Sequence, residues 1–174
     1  MSVIRYISDL HLSHSNMAKR RGFETVEKHD EHIINSWNSV VGKRDVTWIL
    51  GDITMEKSSP YPLLNRLNGI KKVILGNHDK PQHVPELLKY VNHVCAVQYK
   101  TFKNQNVIFS HIPIHPKELD YRFNINIHGH THLNRVSNYD YYEDCNLPMY
   151  DEKYINVCAE VIDYKPKLLE ELIK

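Results

Sequence analysis

Cysteine is scarce in this chain: Cys95, Cys145 and Cys158 are the only three in 174 residues, and no CxxC pair occurs. So odd and widely spaced a set excludes a disulfide framework and a zinc knuckle, and fits a reducing compartment. Charge of one sign is missing as well. Lys and Arg number 22 against 21 Asp and Glu, a net charge of +1 that supplies no extended nucleic-acid surface. No apolar run approaches the ~20 residues a membrane span needs. The polar pair Ser8-Asp9 interrupts the N-terminal apolar stretch before it reads as a signal peptide. Internal repeats, low-complexity tracts and linkers are also lacking. What remains is a globular composition, 41% hydrophobic and 25% charged, long enough to bury a core without staples. The reading is one cytoplasmic domain over residues 1–174, with no membrane partner.

Histidine breaks this plainness. It occurs 12 times, with a cluster at His111, His115, His128, His130 and His132. Surface histidines scatter; a cluster raises the question of a metal.

β-Branched and aromatic runs bounded by turn signals predict strands at Val3–Ser8, Val46–Leu50, Lys72–Leu75, Val94–Phe102, Val107–Ser110, Asn124–Ile127 and Tyr154–Val157. An apolar face of Val26, Ile33, Trp37 and Val40 predicts a helix over Thr25–Val41, stopped by Gly42. Shorter helices are expected from Pro60 to Gly69, at Pro85–Tyr90 and at Lys167–Lys174. Strands alternate with helices first and then follow one another. That order predicts an α/β fold with a mixed sheet, or two packed mixed β-sheets, flanked by helices. Val136–Lys153, with Tyr139, Tyr141, Tyr142 and Tyr150, reads as a surface excursion whose tyrosines pack on each other.

The chemistry lies just past the strands. Asp9 and His11 follow the first, Asp52 the second, and Asn77, His78 and Asp79 the third. His111 follows Val107–Ser110, and His128, His130 and His132 follow Asn124–Ile127. Ligands of open α/β sheets bind beyond the carboxyl ends of strands, so these groups converge on one edge. Gly51, Gly76 and Gly129 precede them, where close backbone approach is needed. Carboxylate, amide and imidazole together suit Mn, Fe, Zn or Ni better than Ca. Asp9, His11, Asp52, Asn77, His111, His130 and His132 are too many ligands for one tetrahedral ion. Two ions about 3.5–4 Å apart, sharing one carboxylate, would use them all.

The blocks Asp9-Leu10-His11, Gly51-Asp52, Gly76-Asn77-His78-Asp79, His111 and Gly129-His130-Thr131-His132 resemble the calcineurin-like metallophosphoesterase superfamily in type and order. Asp9-Leu10-His11-Leu12-Ser13-His14, Trp37-Asn38, and Asn156-Val157 leading to Tyr164-Lys165-Pro166 look like a small bacterial and phage branch of it. The resemblance implies that fold and two divalent ions, with Mn first and Fe, Zn, Ni or Mg as alternatives. Asp9, His11, Asp52 and His132 would hold one ion; Asp52, Asn77, His111 and His130 would hold the second, with Asp52 bridging. It also implies phosphoester hydrolysis by in-line attack of a bridging hydroxide; a chain with little room beyond the scaffold and a net charge of +1 points to small substrates, nucleotide-type phosphodiesters above all. His78 would then protonate the leaving oxygen and Asp79 would orient its ring. After Gly51-Asp52 comes Ile53-Thr54-Met55-Glu56, so the second acid of some larger relatives is missing, which weakens analogy with protein phosphatases.

Singly, an Asp at a strand end is more often a cap or turn residue, and a single His a satisfied core or surface ring. Their joint placement is what shifts the balance. His14 and His115 are candidates for lining a substrate cleft. The run Lys19-Arg20-Arg21 is either a phosphate grip or a solvated face. His128 reads as structural, Asn156 as a support for the site, and His29, His32, His83 and His93 as solvated. The HD phosphohydrolases place their pair on a helix, whereas His78-Asp79 follows a strand. The 2H phosphoesterases need a second HxS or HxT, and the metallo-β-lactamase HxHxDH run is absent. The alternatives are a phosphomonoesterase on small molecules and a non-catalytic interaction module on the same fold.

Overall fold

A computed structural model describes residues 2–137 and 150–174. Two sheets carry the molecule. The first is built from β1 (Ile4–Ile7), β2 (Val46–Ile49), β3 (Ile70–Ile74), β4 (His93–Cys95) and β9 (Lys167–Leu168). Its order is β4-β3-β2-β1-β9, parallel except where β9 runs against β1. The second contains β5 (Gln98–Phe102), β6 (Gln105–Ser110), β7 (Ile125–His128) and β8 (Tyr154–Asn156), in that order. There β5 is antiparallel to β6, and β6, β7 and β8 are parallel. The architecture is the mixed α/β arrangement expected, with both sheets present.

The sheets pack face to face through apolar side chains. Tyr6 of β1 stacks on Phe109 of β6, ring centroids 4.6 Å apart and nearly parallel. They also meet at one edge, where Ser8 bridges Cys158. The Ser8 amide donates to the Val157 carbonyl at 2.8 Å, and the Ala159 amide to the Ser8 carbonyl at 2.9 Å. That seam lies at the carboxyl ends of β1, β7 and β8.

Among the described residues, helices α1 (Ser15–Arg20), α2 (Val26–Asn38), α3 (Val84–Leu87), α4 (Pro116–Tyr121) and α5 (Leu169–Leu172) accompany the sheets, with 3₁₀ turns at Tyr61–Arg66, Pro81–His83 and Ala159–Ile162. The Thr25 hydroxyl accepts from the Lys28 amide at 3.2 Å and starts α2, which buries Ile33, Ile34 and Trp37. The helix ends at Asn38 rather than running on to Gly42. Asn38 is held there by the Asn68 amide, which donates to its Oδ1, and by its own Nδ2–H on the Arg66 carbonyl. Trp37 is fully buried and donates to the Asn68 carbonyl at 3.0 Å. Trp37→Ala is therefore expected to cost about 3–5 kcal/mol, read as a lowered denaturation midpoint at unchanged slope.

Several expected elements resolve differently. Val94–Phe102 is two strands in different sheets, since the chain bends at Ala96 and crosses from β4 to β5. The segment after Pro60 is a 3₁₀ turn, not an α-helix. Lys167 and Leu168 pair with β1 before α5 begins. The tyrosine-rich excursion falls largely on residues 138–149, so Tyr139, Tyr141 and Tyr142 lie outside the described residues; Ser137 and Tyr150 bridge at its base. Among the described residues no helix is long and apolar enough to cross a membrane.

Candidate metal centre

The parallel strands deliver the chemistry to the seam. Asp9 and His11 leave β1, Asp52 leaves β2, Asn77 leaves β3, His111 leaves β6, and His130 and His132 leave β7. Ligand-type atoms of Asp9, His11 and Asp52 lie within 4.8 Å of one another, as do those of Asp52, His111 and His130. Asp52 is common to both groups. Its Oδ1 accepts from the His78 amide at 3.0 Å. Its Oδ2 lies 3.4 Å from His111 Nε2, 3.8 Å from His11 Nε2 and 4.0 Å from His78 Nε2. Asp9 Oδ1 in turn lies 3.7 Å from His11 Nε2 and 3.9 Å from His132 Nε2, and Asn77 Oδ1 lies 2.9 Å from His111 Nε2.

Backbone contacts hold these groups in an unusual conformation. Asp9, His11, Asp52, His130 and His132 all have positive φ, between 49° and 69°. A left-handed non-glycine residue costs on the order of 1–3 kcal/mol and persists only where its surroundings over-determine it. Here they do. The amide of Asp9 donates to the Gly51 carbonyl and that of His11 to the Asp52 carbonyl, each at 3.0 Å. The His130 amide donates to Asp9 Oδ2 at 2.9 Å. Two glycines admit the close approach: a Cβ on Gly51 would lie 2.6 Å from Gly76 Cα and His111 Nδ1, and one on Gly129 would collide with Ser8 and Asp9.

The donors are pre-oriented. His111 Nδ1–H donates to the Leu50 carbonyl at 2.8 Å, and His132 Nδ1–H to Glu160 Oε1 at 2.6 Å. With an ion bound and the rings neutral, this would leave the Nε2 lone pairs on the carboxylate side, the arrangement a metal-binding imidazole needs. Burial alone would raise the Asp9 carboxyl; the His11 ring, His111 charge, Ser8 hydroxyl and His130 amide outweigh it and hold Asp9 well below the carboxylate range. Burial also opposes ionisation of Asp52, yet the neighbouring His111 and the His78 amide keep it lowered. Burial would depress His111, but Asp52 and Asp9 raise it.

The residues fit a divalent cation. Asp9 Oδ1 and both ring nitrogens of His11 are buried and lack any hydrogen-bond partner. Buried polar atoms are ordinarily paired, and one ion would satisfy the Asp9 oxygen together with His11 Nε2, the ring nitrogen that faces Asp9 and Asp52.

The structure also corrects individual roles. Asp79 does not touch the His78 ring. Its carboxylate accepts from the Asp52 amide at 2.8 Å, Gly76 at 2.9 Å and Ile53 at 3.2 Å, clamping two ligand loops together. Burial, with the nearby Asp52 charge, pushes its carboxyl up. The acid beside His78 is Glu56, 3.4 Å from Nδ1. Arg21 is no phosphate grip: its guanidinium is 3% exposed, donates to the Asp9 and Leu10 carbonyls, and pairs with Glu160 at 2.5 Å. His115 is exposed and caps α4 through the Lys117 amide instead of lining the cleft. His14 does line it, in a cavity of about 750 Å³ shared with His11, His78, His132 and Arg20. Burial and the rings of His11 and His78 lower the His14 pKa. His29 is fully buried against Asp30 and Arg21, not solvated. His128 is buried, and its ring meets the Gly129 carbonyl. Asn156 Nδ2–H donates to Thr131 Oγ1 at 3.0 Å and to the His132 carbonyl at 2.6 Å, bracing that loop.

Glu160, Ser8 and Cys158 carry no sequence motif, yet they surround Asp9 and His132. Ser8 Oγ lies 2.5 Å and Cys158 Sγ 3.2 Å from Asp9 Oδ2. Glu160→Gln removes the carboxylate from both His132 and Arg21. We expect divalent-ion affinity to fall about 10–100-fold, measured by competition with a chelating indicator.

Fold and site together define a two-sheet α/β protein with a candidate metal centre at the seam. No protein-family model matches the chain. The protein is 32% identical over 182 residues to the uncharacterized protein MJ1445 of Methanocaldococcus jannaschii, covering 100% of this chain and 91% of the relative. It is 34% identical over 160 residues to the gene 66 protein of Mycobacterium phage D29, covering 76% of this chain and 79% of that one. The chain belongs to the family of these archaeal and phage proteins. Its fold is shared by the crystal structure of AQ665 from Aquifex aeolicus, a protein of unknown function, with a TM-score of 0.72 and 24% identity over 98% of this chain and 97% of the other.

Proposed function

We propose that the protein is a dimetal-dependent phosphoesterase on a calcineurin-like metallophosphoesterase fold, hydrolysing small phosphoesters and nucleotide-type phosphodiesters in particular. The observation that carries this reading is Asp52, whose one carboxylate serves two separate donor groups. Asp9, His11, Asp52 and His132 would hold one ion; Asp52, Asn77, His111 and His130 would hold the other, a donor mix that suits Mn, Fe, Zn or Ni, among which the family resemblance puts Mn²⁺ first. Two divalent ions there supply an activated water near neutral pH and neutralise charge on the phosphoryl group.

The chain's own residues do the rest. His78 points Nδ1 toward Glu56 and Nε2 toward Asp52. Its Nε2 is therefore the atom that carries a proton to the leaving oxygen. Asp79 keeps the Asp52 and Asn77 loops in register, and Asn156 and Glu160 do so for the loop of His130 and His132. A diester offers each ion one free oxygen and needs no dedicated dianion pocket, which favours diesters over monoesters.

The test is metal analysis of Mn²⁺-loaded protein with a kcat/KM comparison among a bis-aryl phosphate, an aryl phosphate, cyclic nucleotides, a phosphopeptide and duplex DNA at fixed salt. Close to two ions per chain and the highest values on small diesters are expected. A preference for phosphopeptide or duplex above about tenfold overturns the substrate class. No hydrolysis of any ester by the metal-saturated protein overturns the enzymatic reading in favour of an interaction module.

A further inference from the structure

The cavity beside the centre is larger and more cationic than a single phosphoryl group requires. Its volume of about 750 Å³ lies in the range that takes a whole small-molecule ligand. The imidazole rings of His11, His78 and His132 line it together with Met55 and with Lys19 and Arg20 of α1.

Lys19 and Arg20 differ from the third member of their run. Arg21 is buried and neutralised by Glu160. Lys19 and Arg20 are exposed to the cavity, and among the described residues neither has a carboxylate within 4.0 Å. A basic last turn complements a helix dipole, which alone explains a lysine or arginine on α1. It does not explain why both line the same cavity as three rings of the centre. Met55, polarisable, unbranched and half-buried, offers a surface on which an aromatic ring or base packs.

We propose, resting on the phosphoesterase reading, that the substrates are phosphodiesters carrying a second phosphate, which Lys19 and Arg20 hold while Met55 packs on the body between the two phosphates. An arginine fork and a lysine point charge both suit a terminal phosphate. This places the specificity of the enzyme on α1 rather than on the ligand loops.

The experiment is calorimetric binding to Mn²⁺-loaded protein, comparing thymidine 3′,5′-bisphosphate with thymidine 3′-phosphate, which lacks only the second phosphate. The bisphosphate is expected to bind at least about tenfold tighter to the wild type, with the advantage shrinking as salt rises. Lys19→Ala/Arg20→Ala should erase that advantage, whereas Lys43→Ala/Arg44→Ala, an exposed pair elsewhere with the same charge loss, should keep it. Equal affinities in the wild type, or an advantage that survives in the α1 variant, would overturn the proposal. Because the readout is binding, the outcome stands apart from turnover: loss of the bisphosphate advantage sinks this inference alone, while absent hydrolysis with the advantage intact sinks the phosphoesterase reading.

Discussion

Asp52→Asn is expected to reduce phosphodiester kcat/KM by more than about 10³-fold and to leave fewer divalent ions per chain than the wild type. The substitution is chosen because it separates charge from shape. An asparagine oxygen still accepts from the His78 amide in place of Oδ1, so the loop after β3 keeps its anchor. What disappears is the anionic oxygen that faces His11, His111 and His78 from 3.4 to 4.0 Å. Removing one preorganised electrostatic group from an active site costs about 10²–10³ in rate. Here one atom serves both donor groups, so the loss exceeds that figure. His132→Ala, which touches only the group around Asp9, should be milder in metal content. An Asp52→Asn protein that retains two tightly held ions and more than about a tenth of its activity would remove Asp52 from the bridge.

The candidate blocks were legible because polar groups recur past five strands, a joint placement that no cap or turn rule predicts, and because glycine marks where backbones must nearly touch. The strand order left one mixed sheet or two packed sheets open, and the assignment of strands to sheets was not legible. Val94–Phe102 reads as one run, since neither glycine nor proline marks the bend at Ala96 where the chain changes sheets. The two-residue pairing of Lys167 and Leu168 is too short to leave a period. The left-handed conformations of Asp9, His11, Asp52, His130 and His132 could not be read either, because none is a glycine and the strain is offset by contacts distant in sequence. Arg21 shows the same limit. Three adjacent cations look alike in sequence; only one is met by Glu160, 139 residues further on. His29 reads as an exposed helical residue until that same network is seen to bury it.

His78→Ala is expected to keep its metal and lose about 10²–10⁴ in kcat, the range for removal of a general acid. The separation follows from geometry: His78 holds Asp52 through its backbone amide, which alanine retains, while its ring is a quarter exposed at the cavity wall. The size of the loss should depend on the leaving group. Nitrophenolate departs with little help, so a bis-nitrophenyl substrate should show the smallest effect and an alkoxide-leaving diester the largest. Glu56 supplies the check on orientation. Its carboxylate lies 3.4 Å from His78 Nδ1 and also pairs with Lys80 at 2.8 Å, on a side chain about half exposed. Solvent screens such a contact, so Glu56→Gln should cost less than about tenfold in kcat with metal content unchanged. A His78→Ala protein that turns over an alkoxide-leaving diester at the wild-type rate would show that the proton comes from elsewhere, and the ring would then be a binding group for the phosphoryl oxygens.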